Sequence, residues 1–198
     1  MTIYNLTKGQ IFNPTVVAAH SRGVSIFTPG EEATLELAAL AEDADGGGLV
    51  DKQEIAGAKV EVGSPAGPGE HASVDNKTSR RNYRNSVVGM LVITNDAFYG
   101  LNGVRAGDGS STHYVPVYDA GSEENNEDCA FIPGPPCNNP HVRATDKAAG
   151  FVHIHSGIHG GTILIPARDD WRNPVAKIIV TRVKGRRSNR NDYDDDDD

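Results

Sequence analysis

The sequence predicts an all-β fold, an antiparallel β-sandwich carrying one short α-helix, and three observations predict it. Seven or eight short runs carry β-branched or alternating apolar residues. Gly (22) and Pro (11) together make about a sixth of the 198 residues, the weight of turn formers that many short strands need. Only one stretch carries helix signals. At this length one sizeable domain is expected, and two would be cramped.

The strands are read in order. Thr2 to Leu6 and Val16 to His20 are strand-like, separated by turns at Gly9 and Pro14. Thr28-Pro29-Gly30-Glu31 reads as a capping box, with Thr28 as N-cap and Pro29 in the first turn. The apolar run after it predicts a helix to about Glu42, ended by Gly46-Gly47-Gly48. Lys59–Val62 and His71–Asp75 flank the turn formers Pro65 to Gly69 and read as a hairpin. Val87–Ile93, Thr112–Tyr118, Phe151–His155 and Pro174–Val183 supply the later strands. Gly89, inside one of them, marks a bulge or a close packing contact.

The formal net charge of −8 speaks against a nucleic-acid footprint over the domain. No apolar run approaches the ~20 residues of a membrane-spanning helix. The basic run from Lys184 to Arg190 is followed at once by Asp192 and Asp194 to Asp198. Opposite charges without apolar residues predict a disordered polyampholyte tail over 185–198, leaving residues 1–184 as the folded domain. Cys129 and Cys137 are separated by a Pro- and Gly-rich loop that can fold back, so a disulfide is expected, with two free thiols as the alternative. A structural disulfide implies an oxidising, extracellular setting. Met1 runs straight into a strand pattern, which fits a secreted chain whose leader has been removed.

Two loops hold the most informative chemistry. Thr94 to Phe98 and Tyr118 to Glu123 each follow an apolar run and each present carboxylates. Asp119 and Glu123, four residues apart across Ala-Gly-Ser, can turn both carboxylates toward one centre, and Asp96 would approach from the neighbouring loop. Three hard oxygen ligands, completed by carbonyls and water, suit calcium. The plainer alternative is an Asx-turn at Asp96 and a solvated acidic loop from Glu123 to Asp128.

These residues also carry a resemblance. Val92-Ile-Thr-Asn-Asp96-Ala-Phe-Tyr-Gly-Leu-Asn102, Val117-Tyr-Asp119-Ala-Gly-Ser-Glu123 and Trp171-Arg-Asn-Pro-Val175-Ala, with the opening Ile3-Tyr-Asn-Leu-Thr-Lys-Gly-Gln and Val16-Val-Ala-Ala-His20-Ser, resemble the spondin-N (F-spondin) domain of the bacterial secreted type. The likeness runs from about Thr2 to Val183. It implies a sandwich related to C2 domains, extracellular, holding calcium through acidic loop residues. The family pattern falls on Asp96, Asp119 and Glu123; animal members usually show Asp at the last, and Glu, one methylene longer, remains a competent ligand.

A second constellation is Phe151-Val-His153-Ile-His155-Ser-Gly-Ile-His159. On a strand, His153 and His155 would share one face, about 6.5–7 Å apart at Cα. Gly157 would let His159 return to the same centre, and three neutral imidazoles suit Zn2+ or Cu2+. The HxH pair resembles the start of a cupin metal motif, but the later cupin Glu and second motif are missing. His20 is a further candidate ligand. The plainer reading has these histidines bonding backbone carbonyls at the sandwich edge. Asn5-Leu6-Thr7 and Asn76-Lys77-Thr78 match the glycosylation sequon, and Trp171, the single Trp, is expected to pack in the core or at its edge.

The expected function is a secreted or cell-surface, non-enzymatic, calcium-binding domain used in adhesion or matrix-type assembly, with an extracellular protein or glycan partner. Two other classes stand beside it. One is a metalloenzyme built on His153, His155 and His159; the other is a self-associating structural subunit pairing through its sheet edges or its N-terminal strand. No nucleophile elbow or phosphate loop is present.

Overall fold

The structure is a computed structural model and describes residues 1–79 and 83–183. The charged tail expected over 185–198 lies outside the described residues. Two antiparallel sheets carry the architecture, as the sequence predicts. The smaller has four strands in the order β4-β1-β10-β7, formed by β1 (Thr2–Asn5), β4 (His71–Ser73), β7 (Ser110–Val115) and β10 (Ala176–Thr181). The larger has six in the order β3-β2-β5-β6-β8-β9. Its strands are β2 (Val16–His20), β3 (Lys59–Val62), β5 (Arg84–Met90), β6 (Ala97–Arg105), β8 (Val117–Asp119) and β9 (His153–Ile154).

Between the sheets lies a core of Ile3, Val17, Val87, Tyr99, Val115, Ile178 and Trp171. The outer face of the larger sheet is covered too. Val16, Ala18, Val88, Met90 and Phe98 pack against Leu37, Leu40 and Leu49 of two nine-residue helices, α1 (Leu35–Asp43) and α2 (Gly47–Ile55). The central strand β2 is therefore buried at every position. A strand clad on both faces needs a continuous apolar run instead of alternation, which is how Val16 to Ala19 reads. The sandwich thus has a third, helical layer.

Several local expectations are corrected. Helix α1 starts six residues later than the Thr28 capping box implied, capped by Thr34, whose hydroxyl accepts the Leu37 N–H. Gly30 has a positive φ and bonds the Val152 carbonyl through its N–H while Glu31 bonds back to Thr28, so this stretch is a turn tied down by a tertiary pairing. Gly46 to Gly48 do not close the helical region; Ala44, in the left-handed conformation, ends α1, and the glycines open α2. A third, one-turn helix, α3, spans Pro166–Asp169.

The expected β3–β4 hairpin does not form. β3 pairs with β2, β4 pairs with β1, and the Pro65–Gly69 segment crosses between the sheets through a bridge from Phe12 to Ala66. The single strand expected over Thr112–Tyr118 is two, because Pro116 offers no N–H to continue a ladder; the chain changes sheets there, β7 joining β10 and β8 joining β6. β6, the longest strand, was hidden by its glycines. A Cβ at Gly100 would stand 2.6 Å from the Phe27 ring, so the strand interior needs glycine for close approach. Gly89 is likewise a packing contact, facing the Tyr99 ring and hydroxyl at 2.5–2.8 Å from a Cβ position.

β1 is paired on both sides, so it is no free arm for another copy. The sheet edges are β3, β9, β4 and β7. Trp171 lies in the core as expected. Asn5 is buried, its amide donating to the Gln10 and Ala66 carbonyls, so the first sequon is internal. Among the described residues no helix is long and apolar enough to cross a membrane.

Candidate functional site

The two acidic loops meet at one end of the larger sheet. Asp96 stands just before β6, and Asp119 closes β8 opposite Ala97 on one side and His153 on the other. The loop after β8 then wraps the Asp96 carboxylate. Asp96 Oδ2 accepts from the Ser122 N–H (2.9 Å), the Glu123 N–H (3.0 Å) and the Ser122 hydroxyl (3.3 Å). Gly121 makes this turn possible: its φ is +70°, and a Cβ there would strike the Phe151 carbonyl at 2.3 Å. The Asx-type turn of this region belongs to Asp119, whose Oδ1 accepts from the Gly121 N–H at 2.7 Å. Thr94, not Asp96, closes the turn before β6 by accepting the Ala97 N–H.

Asp96, Asp119 and Glu123 are all buried, at 0, 0 and 2 % exposure. Glu123 Oε1 accepts from the Ala144 N–H at 2.9 Å. Two oxygens remain without a hydrogen-bond partner: Asp96 Oδ1 and Glu123 Oε2. Burial, reinforced by the negative Asp119, pushes the Asp96 carboxyl up to about 7. Burial pushes Glu123 up to about 8, with the charges of Glu42, Asp96 and Asp43 adding to it against the Ala144 hydrogen bond. Orphaned, crowded and desolvated carboxylates are expensive unless protonated or neutralised by a cation.

Sequence reasoning missed Glu42, at the end of α1. It is buried, its carboxyl is raised by desolvation, Arg143 ion-pairs with it, and it lines one cleft with Ser122. Its only sequence signal was an acidic pair, Glu42-Asp43, ending a helix where the dipole favours cations.

The three histidines lie near enough for the charges of His153 and His159 to act on His155, and each has its own partners. β9 covers only His153 and Ile154. His153 Nε2 lies 3.7 Å from Asp119 Oδ2, and His159 Nδ1 lies 3.5 Å from Glu127 Oε1. Glu127 was missed in this role; its two oxygens accept from the His159 and Gly160 N–H groups and shape that turn. His155 is buried against Trp171, ring centroids 5.1 Å apart, and its Nδ1 accepts the Gly157 N–H. Burial lowers its pKa to about 4, so the ring is neutral with its proton on Nε2. Neither nitrogen of that tautomer offers a free lone pair to a metal. His20 is remote, both ring nitrogens engaged by the Ser21 carbonyl and the Ser86 hydroxyl.

Among the described residues no three His, Cys, Asp or Glu side chains already surround one metal position. The acidic centre nonetheless fits a hard cation by its donor chemistry, since its two orphaned oxygens are carboxylate oxygens. Cys129 and Cys137 form the expected disulfide, Cα atoms 5.0 Å apart, in the loop between the acidic turn and His141. No family model and no curated protein matches the chain.

Proposed function

We propose that this chain is a secreted, non-enzymatic binding domain of spondin type whose loop end is fixed by calcium. The observation that carries the reading is the pair of buried carboxylate oxygens without partners, Asp96 Oδ1 and Glu123 Oε2, beside the equally buried Asp119. Asp96, Asp119 and Glu123 would hold the ion. Its charge would replace the protons that Asp96 and Glu123 otherwise favour and would pin the turn before β6 to the loop after β8. Resemblance to spondin-N domains points to the same three residues, and the Cys129–Cys137 disulfide is compatible with an extracellular setting. The ordered loop end then serves as a surface for adhesion or matrix-type assembly with an extracellular protein or glycan.

The test is thermal melting with and without calcium. An ion that binds only the folded state stabilises it by RT ln(1 + [L]/Kd), about 2.7 kcal/mol at a hundredfold excess over Kd. Chelator should lower the Tm of calcium-loaded protein by several degrees, and Asp119→Ala should abolish that sensitivity. Identical melting of demonstrably loaded and stripped protein sinks the reading.

A further inference from the structure

The acidic centre has a member that comes from outside the two loops. Glu42, at the end of α1, is 3 % exposed and lines one cleft with Ser122, whose hydroxyl donates to Asp96, and with Arg143. The helix carboxylate therefore stands beside the loop that wraps Asp96, close enough for its charge to act on Glu123. Opposite them stands a single strand of chain, residues 143 and 144. The Ala144 N–H holds Glu123 Oε1, and the Arg143 guanidinium holds the helix: Nε lies 2.5 Å from Glu42 Oε2 and Nη2 lies 3.1 Å from Asp43 Oδ2. Among the described residues, Arg143 is the only Lys or Arg that ion-pairs with Glu42, Asp43, Asp96, Asp119 or Glu123. The charges of Glu42, Asp43 and Asp96 thus all bear on Glu123, and the one guanidinium facing them is less buried than its partners, at 43 % side-chain exposure against 3 and 4 % for Glu42 and Asp43.

We propose that Glu42 is a further carboxylate of the cation centre, supplied by α1, and that Arg143 is its internal counter-ion, holding the cluster together until a divalent ion takes over that charge. This rests on the calcium reading above. The physical logic is competition. A guanidinium on Glu42 satisfies part of the negative charge, so a divalent ion gains less by arriving, and removing the guanidinium makes its arrival more favourable. Removing the Glu42 charge does the opposite. The effect is moderate because Arg143 is partly solvated and its field is screened by salt. The same exchange loosens the grip of Arg143 on α1 when the ion is bound.

The experiment is calorimetric titration of the purified full chain with calcium chloride, after chelator treatment, on wild type, Arg143→Gln, Arg143→Lys and Glu42→Gln. Arg143→Gln should bind calcium about three- to tenfold more tightly and Glu42→Gln about three- to tenfold more weakly, with Arg143→Lys close to wild type, within the ordinary range of coupling between sites. Melting separates this from a structural role: Arg143→Gln should melt below wild type in chelator and level with it in saturating calcium. Unchanged or weaker binding by Arg143→Gln, or unchanged binding by Glu42→Gln, overturns the proposal while the calcium reading stands. A wild type that binds no calcium overturns both.

Discussion

Asp96 and Glu123 hold their carboxyl groups where the proton is favoured, Asp96 up to about 7 and Glu123 up to about 8, burial being the first cause in each. Groups whose folded-state pKa lies above the unfolded value, near 4 for carboxyls, stabilise the fold below that unfolded value and lose the contribution as pH rises through the folded one. The ion-free protein should therefore melt lower at pH 9 than at pH 5.5, the decline running from about pH 4 to about pH 8 and levelling off above it. Calcium needs the ionised carboxylates, so its protective increment should grow over the same interval. A chelated protein whose Tm rises from pH 5.5 to 9 would contradict these shifts. At this scale the sequence was informative but incomplete. Asp96, Asp119 and Glu123 were visible because each sits in an acidic loop after an apolar run. Glu42 was not, because it meets Ser122 only through the packing of α1 on the sheet.

Among the elements, those with uninterrupted local signals were legible. β2 has four consecutive small or branched apolar residues, and β10 has Ile178, Ile179 and Val180. β6 was missed because glycine at positions 100 and 103 lowers strand propensity, while the tertiary need for it at 100 is the Phe27 ring. The β7–β8 break was marked by Pro116, yet the alternation across it looked continuous. The loop between β8 and β9 is organised by covalent and ionic ties instead of a ladder. Closing the short Cys129–Cys137 loop removes freedom from the unfolded chain worth about 2–3 kcal/mol. Cys137→Ser should lower the unfolding free energy by about that amount in urea titration, a change of several degrees in Tm. An unchanged midpoint would mean that the loop contributes nothing to global stability.

For the whole molecule, the two apolar cores share β2, β5 and β6, whose opposite faces belong to different layers. Losing the helical layer would bare Val16, Ala18, Val88 and Met90 to water, at a cost of about 1.5–3 kcal/mol for each large side chain exposed. The layers should therefore unfold together. Trp171 fluorescence reports the core between the sheets, and circular dichroism at helical wavelengths reports α1 and α2, so two separate transitions would contradict this coupling. The sequence announced a sandwich through its strand count and turn formers, but the helical layer depended on α2, whose opening glycines read as a stop.

The edges of the sheets set a limit on how the protein can multiply itself. β9 is two residues long, β4 three and β3 four. Chains that grow fibres by adding strand to strand need a long rail on each side, and three of these four rails are stubs. Only β7, with six residues, offers length, and it presents Ser110, Thr112 and Tyr114 to the outside. A fold bounded in this way resists end-on polymerisation, so any higher-order structure it enters must be built by side-chain surfaces and not by extending the sheet.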